Sequence, residues 1–158
     1  MSKCILVVED EKDNRQILRD LLGNAGYELT EAENGEEAIA AAAERRPSLI
    51  LMDIQLPIVD GYEATRRIRS NPDLRSVPII AVTSHALAGD EDKALAAGCD
   101  GYVSKPWPTR FIGKGPHLFG VVLTPRSGQR RGLACFITQI LIDTIRSYQY
   151  TVRRMWKT

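Results

Sequence analysis

Cys4-Ile5-Leu6-Val7-Val8-Glu9-Asp10 is the stretch on which the fold turns: five residues that are apolar throughout, closed by two acids. A strand wetted on one face alternates apolar and polar residues, whereas an unbroken apolar run belongs to a strand covered on both faces. The acids mark the point where this strand leaves the core. A helix-period segment follows at Asp13–Asn24, with Ile17, Leu18, Leu21 and Leu22 placed to face inward and Gly23 near its end.

The same unit recurs along the chain. Tyr27–Ala32 reads as a second strand, and Asn34 opens a helix that runs to Arg46 and is stopped by Pro47. Asn34 can cap that helix while Glu37 reaches back, as in a capping box. Leu49–Met52 is a third apolar run, ending in Asp53; Asp60 then caps a helix carrying Ala64 and Ile68 inward, broken by Asn71-Pro72. Pro78–Val82 is the fourth run, followed by Thr83 and Ser84, and Asp90–Ala97 is a short helix closed by Gly98. Gly101–Ser104 is a fifth strand, leading into Lys105-Pro106. Apolar strands alternating with helices predict an α/β fold with a parallel sheet covered on both faces and joined by right-handed crossovers. Five such strands suit a doubly wound sheet of flavodoxin-like order 2-1-3-4-5, whose ligands bind beyond the carboxyl ends of the strands.

The polar residues that interrupt the pattern sit at those ends. Glu9 and Asp10 close strand one, Asp53 strand three, Thr83 strand four, and Lys105 follows strand five. In this topology all four ends open on one edge, so three carboxylates, a hydroxyl and an ammonium converge. Crowded carboxylates call for a cation, and an all-oxygen donor set with room for water suits Mg²⁺. One carboxylate can then act as nucleophile toward a phosphoryl donor, giving an aspartyl phosphate. Taken singly, an acid after a strand is a helix cap and Lys-Pro is a turn; the conjunction at the correct strand ends carries the reading.

Val7-Val8-Glu9-Asp10, Met52-Asp53-Ile54-Gln55-Leu56-Pro57, Asp60-Gly61, Ala81-Val82-Thr83-Ser84 and Lys105-Pro106 together resemble the receiver domain of two-component response regulators, including single-domain receivers of the DivK type. The resemblance covers residues 3–107. It implies that Asp53 is the phosphoacceptor, that Asp10 ligates Mg²⁺ directly with Glu9 acting mainly through water, and that the Gln55 backbone carbonyl is a further ligand. It implies that Thr83 is the switch hydroxyl, Lys105 the phosphate-binding lysine, and Tyr102 the aromatic switch residue, which otherwise reads as an ordinary strand aromatic. Ser84 is small and would leave phosphodonors access. Gln55 and His85 fall where the family tunes dephosphorylation; His85 otherwise reads as a solvated loop histidine. A histidine kinase or histidine phosphotransfer protein would donate the phosphoryl group, and a downstream protein target would read the switch near the fourth helix.

Other classes fare worse. An aspartyl-phosphate phosphohydrolase of the haloacid dehalogenase type needs a second acid two residues beyond the nucleophile, where this chain has Gln55, a poor proton carrier. A nucleotide or flavin module needs a Gly-rich phosphate loop after the first strand, where this chain has Glu9-Asp10-Glu11. A phosphorylation-independent interaction module would not require the whole site to be present. The expected protein is therefore a phosphoacceptor and not an enzyme, with slow autodephosphorylation at most.

The remaining sequence divides the chain. Residues 1–106 hold 12 Lys/Arg against 19 Asp/Glu, a net of −7; residues 107–158 hold 9 Lys/Arg and one acid, Asp143, a net of +8. Such asymmetry points to two units. We expect a receiver over 1–112, a linker over 113–132 containing five of the twelve glycines with Pro116 and Pro125, and a basic amphipathic segment over 133–158. Pro108, Gly113, Gly115 and Pro116 oppose the fifth helix that the family places after Lys-Pro, so that helix is expected to be atypical or missing. The basic segment has three readings: it docks in place of the fifth helix, it contacts a membrane surface or acidic partner, or it is an altered end, which the abrupt loss of acids favours. No nucleic-acid-reading motif accompanies its charge. Three cysteines, Cys4, Cys99 and Cys135, lack metal-type spacing and fit free thiols in a reducing cytoplasm. Cys4–Val8 is too short for the core of a secretory signal, and Leu133–Ile145 is too short and too polar to span a bilayer.

Overall fold

A computed structural model describes residues 3–84, 89–105 and 121–123. The sheet has the strand order β2-β1-β3-β4-β5-β6, built from β1 (Cys4–Val8), β2 (Glu28–Ala32), β3 (Leu49–Asp53), β4 (Ile79–Thr83), β5 (Gly101–Ser104) and β6 (Val121–Leu123). The first five strands are parallel, in the 2-1-3-4-5 order expected. The helices are α1 (Lys12–Asn24), α2 (Gly35–Arg45), α3 (Gly61–Ser70) and α4 (Asp90–Ala97), with a 3₁₀ turn at Pro72–Leu74.

The unbroken apolar strands do what their pattern requires. Alternate residues of β1 enter different clusters: Leu6 and Val8 join Ile50, Met52 and Ala81 against Ala38 and Ala42 of α2 and Ala64 and Ile68 of α3. Ile5 and Val7 join Leu49, Ile80 and Val103 with Leu18 and Leu22 of α1. Each fully buried Leu or Ile of this kind contributes roughly 1.5–3 kcal/mol. The small residues of α2 allow close approach to the sheet. Ile17 departs from expectation: it is 39% exposed, because Leu18 and Leu22, four residues apart, form the buried stripe and Ile17 is rotated off it.

The helix starts follow their side chains. Asn34 Oδ1 accepts from Glu37 N at 3.0 Å, as a cap should; Glu37 reaches back one residue further than a strict capping box, accepting from Glu33 N at 2.9 Å and from Asn34 Nδ2 at 2.9 Å. Asp60 Oδ1 accepts from Glu63 N at 2.8 Å to start α3. Gly98 ends α4 at φ +111°, a left-handed conformation that suits glycine.

The sheet edge away from the acids is locked by charge. Arg69 of α3 donates to Asp100 Oδ2 at 2.6 Å and to the carbonyls of Gly98 and Val77, while Asp100 Oδ2 also accepts from Ile79 N at 3.0 Å. Both side chains are nearly inaccessible, so every arm of the pair needs a partner.

The sixth strand was not expected. Within the stretch read as linker, Val121-Val122-Leu123 runs antiparallel to Gly101–Val103. The exposed ladder of β5 offers unpaired N–H and C=O groups, and a short β-branched run satisfies them; the glycine and proline content around that run obscured it. His85, Pro106 to Phe119 and the basic segment 133–158, with its three readings, lie outside the described residues. Of the thiols, neither Cys4 nor Cys99 forms a disulfide among the described residues. No helix among the described residues is long and apolar enough to cross a membrane.

Candidate active site

Parallel topology brings the ends of β1, β3, β4 and β5 to one edge, and the polar residues that closed each apolar run meet there. Asp53 is the last residue of β3, paired in register with Val82, and is 4% exposed. One of its oxygens, Oδ1, accepts from Gln55 N at 2.9 Å; the other, Oδ2, accepts from Lys105 Nζ at 2.7 Å. Lys105 reaches Glu9 Oε2 as well, at 2.5 Å. Its ammonium thus sits between two carboxylates that β1 and β3 hold at the same depth. Lys105 N also donates to Thr83 O at 2.6 Å, which ties the loop after β5 to the end of β4.

Glu9 is 1% exposed, and its second oxygen takes up Asn14 Nδ2 at 3.1 Å and Glu11 N at 3.4 Å. Burial pushes its carboxyl above the usual range and the Asp53 charge adds to this; the hydrogen bonds from Lys105 and Asn14 oppose it. For Lys105, burial works to lower the ammonium, but the bonds and charges of Asp53 and Glu9 outweigh it and the group is raised. Asp10 is exposed, so its carboxylate faces the solvent side of the cluster. Oxygens of Glu9, Asp10 and Asp53 all lie within 4.8 Å of one another. Glu9 and Asp53 each accept from Lys105 and from a second donor, and the exposed Asp10 carboxylate completes the set of oxygens that face one another. An all-carboxylate set of this kind fits a hard divalent ion.

The loop after Asp53 is held by close packing. A Cβ on Gly61 would lie 2.1 Å from Asp53 O and 2.8 Å from Ile54 Cα, so only glycine lets α3 start this near the acid. Gly61 N donates to Ile54 O at 3.0 Å. Within this loop Ile58 adopts φ +70° with 80% of its surface exposed, a strained conformation for a β-branched residue.

The switch candidates are both internal. Thr83 is buried at the end of β4, and Tyr102 of β5 is 6% exposed. The Tyr102 hydroxyl is buried with no hydrogen-bond partner among the described residues. Burial first, then the charges of Asp90 and Glu91, raise its phenol above the usual tyrosine range, with the nearby Thr83 hydroxyl acting the other way. Ser84 is exposed beside them.

Of the residues expected at the site, Glu9, Asp10, Asp53 and Lys105 come together, and Gln55 meets Asp53 through its N–H. Sequence reasoning passed over Asn14 and Arg15, and took Gly61 only as part of a motif, with no role of its own. Their signal was positional: the first turns of α1 and α3 follow directly on the acid-bearing loops, so polar or small residues there face the site.

Comparison with known proteins agrees with this geometry. A sequence model of the response regulator receiver domain matches residues 5–113. The polar-differentiation response regulator DivK of Brucella anthropi is 47% identical over 113 residues, 71% of this chain and 92% of DivK. Among solved structures, the receiver domain of a sensor histidine kinase from Pseudomonas aeruginosa, with a magnesium ion in its active-site cleft, is 42% identical. It superposes with a TM-score of 0.64 over 68% of this chain and 88% of that one. The chemotaxis protein CheY4 of Vibrio cholerae is 29% identical, with a TM-score of 0.65 over 68% and 89%. The chain belongs to the response regulator receiver domain family. It is a receiver domain of the two-component class, whose members are signalling phosphoacceptors that work with histidine kinases or phosphotransfer proteins.

Proposed function

We propose that Asp53 accepts a phosphoryl group from a phosphohistidine donor and that the chain signals through the change this causes. The observation that carries the reading is Lys105, bonded to Asp53 and Glu9 at once, beside the open carboxylate of Asp10. A carboxylate oxygen of Asp53 attacks phosphorus, the phosphorus–nitrogen bond of the donor breaks, and the departing imidazole nitrogen takes up a proton. The product is an acyl phosphate. Held by Asp10, Asp53 and the Gln55 main-chain carbonyl, with Glu9 acting through water, Mg²⁺ would offset charge on the phosphoryl oxygens.

Lys105 keeps its charge near Asp53 and moves its bond to a phosphoryl oxygen as the new charge develops. The Thr83 hydroxyl bonds another such oxygen, and Tyr102 follows Thr83; the burial of both beside the site supports this coupling. The added charge biases two states of the domain, and a protein partner reads the face near α4. The position two residues beyond Asp53, where a phosphohydrolase carries its general acid/base, is Gln55, so the phosphoryl group persists as a signal and the protein is no turnover enzyme. The receiver spans 1–112, followed by the linker to 132 and the basic segment to 158; the family match ending at residue 113 supports the first boundary. We place the protein in the cytoplasm, where its donors act.

Intact mass after incubation with acetyl phosphate and Mg²⁺ tests the reading. The native chain gains one Mg²⁺-dependent phosphoryl group and Asp53→Asn gains none. A folded native chain that gains none would leave a phosphorylation-independent interaction module.

A further inference from the structure

We infer that Arg15 is a positioning residue for the cation site, holding the main chain of Glu9 and Asp10 in place without touching the ion. The inference rests on the receiver reading above. Arg15 lies in the first turn of α1, yet is only 8% exposed, an unusual place for a guanidinium without a task. Its Nη1 donates to both Glu9 O and Asp10 O, at 2.8 Å each. Its Nη2 donates to Glu33 Oε1 at 2.6 Å, and Nε lies 3.6 Å from Glu31 Oε2. One planar fork thus ties the end of β1 and the loop after it to the end of β2.

The consequence falls on Asp10. Beyond Val8 the residues leave the β1–β3 ladder, and the exposed Asp10 carboxylate has no packing of its own to fix it. The two peptide groups that Arg15 grips flank the Cα of Asp10, so they set where that side chain points. Supporting contacts of this kind commonly change metal affinity by about 10- to 100-fold when lost.

The direction of the effect separates position from charge. A guanidinium this near the acids repels a cation, so if Arg15 acted by charge alone its removal would tighten Mg²⁺ binding. A positioning role requires the opposite. Lysine keeps the charge but its single ammonium cannot span the three acceptors, so Arg15→Lys removes the fork at constant charge. Arg69→Ala supplies the control for general loosening, since it removes an equally buried guanidinium, whose partner Asp100 is more buried than Glu33, at the far edge of the sheet.

The test is calorimetric titration of Mg²⁺ into the metal-free full chain, with circular dichroism confirming the folded state at the same temperature. The native chain binds and Asp10→Asn does not. Arg15→Ala binds roughly tenfold more weakly or worse, Arg15→Lys falls between, and Arg69→Ala matches the native value despite a lower melting temperature. Arg15→Ala with native or tighter affinity overturns the inference. If Arg15→Ala does not fold, Arg15→Lys decides: native affinity in that variant overturns the inference, and weakened affinity upholds it. A native chain that takes up no Mg²⁺ overturns the receiver reading itself, and the inference with it.

Discussion

Replacing Lys105 with Met keeps the length of the side chain and removes its charge. The Lys105, Glu9 and Asp53 side chains are all less than a tenth exposed, so the variant leaves two buried carboxylates facing each other. Their nearest donor oxygens lie within 4.8 Å. At an effective dielectric of about 20, two unit charges at that distance repel by about 3.5 kcal/mol. Removing one partner of a buried ion pair typically costs about 3–5 kcal/mol, and the two figures agree. Lys105→Met should therefore lose about 3–4 kcal/mol of stability in urea at neutral pH with a chelator present.

Two conditions should return much of the loss. Mg²⁺ at about 100 times its dissociation constant stabilises the folded state by about 2.7 kcal/mol, and it does so where the repulsion is. Acid acts through Glu9, whose carboxyl is raised by burial before any change is made. A carboxyl raised in the folded state contributes stability below the ordinary carboxylate range and loses it as pH rises through the raised value. The deficit of Lys105→Met should thus shrink as pH falls through that range. A loss below about 1 kcal/mol, unmoved by Mg²⁺ or acid, would refute the triad as an electrostatic unit.

Further outcomes follow from other parts of the molecule. Arg69→Ala strands Asp100 and several carbonyls, and urea denaturation should show a loss of about 3–5 kcal/mol. Tyr102→Phe removes a buried hydroxyl that has no hydrogen-bond partner among the described residues, so stability should stay level or rise by up to about 1 kcal/mol. Because burial raises the Tyr102 phenol, its contribution is complete below the ordinary tyrosine range and lost as pH climbs through the raised value; alkaline denaturation of Tyr102→Phe should be shallower than that of the native chain. Ile58→Asn should gain about 1 kcal/mol in the same urea assay, since asparagine tolerates the left-handed backbone and no buried surface is lost.

The α/β architecture was legible because each strand wrote its environment into its own residues. Cys4–Val8 and Leu49–Met52 are unbroken apolar runs, which in a chain of alternating helices admit few arrangements besides a covered parallel sheet. The caps at Asn34 and Asp60 act within four residues and were equally plain. The meeting of Glu9, Asp53 and Lys105 needed topology as well as pattern, but the topology was constrained enough to supply it. Arg15 escaped notice because its partners are main-chain carbonyls and Glu33, which no periodicity marks. Ile17 was misplaced because four apolar residues in α1 fit a stripe that only Leu18 and Leu22 fully occupy. The pairing of Val121–Leu123 with β5 is a contact across about twenty residues, and its three apolar residues were outweighed by the glycines and prolines around them.

Everything proposed for the site depends on Asp53 itself carrying the phosphoryl group. Borohydride reduction of the phosphorylated chain, followed by peptide mass mapping, tests this most directly, because reduction converts an aspartyl phosphate to homoserine. Homoserine is expected at position 53 only, in the sample treated with acetyl phosphate and Mg²⁺ and not in the one treated with chelator. Homoserine at Asp10 or another aspartate, the corresponding reduced alcohol at a glutamate, or a stable adduct on a hydroxyl or imidazole would overturn it.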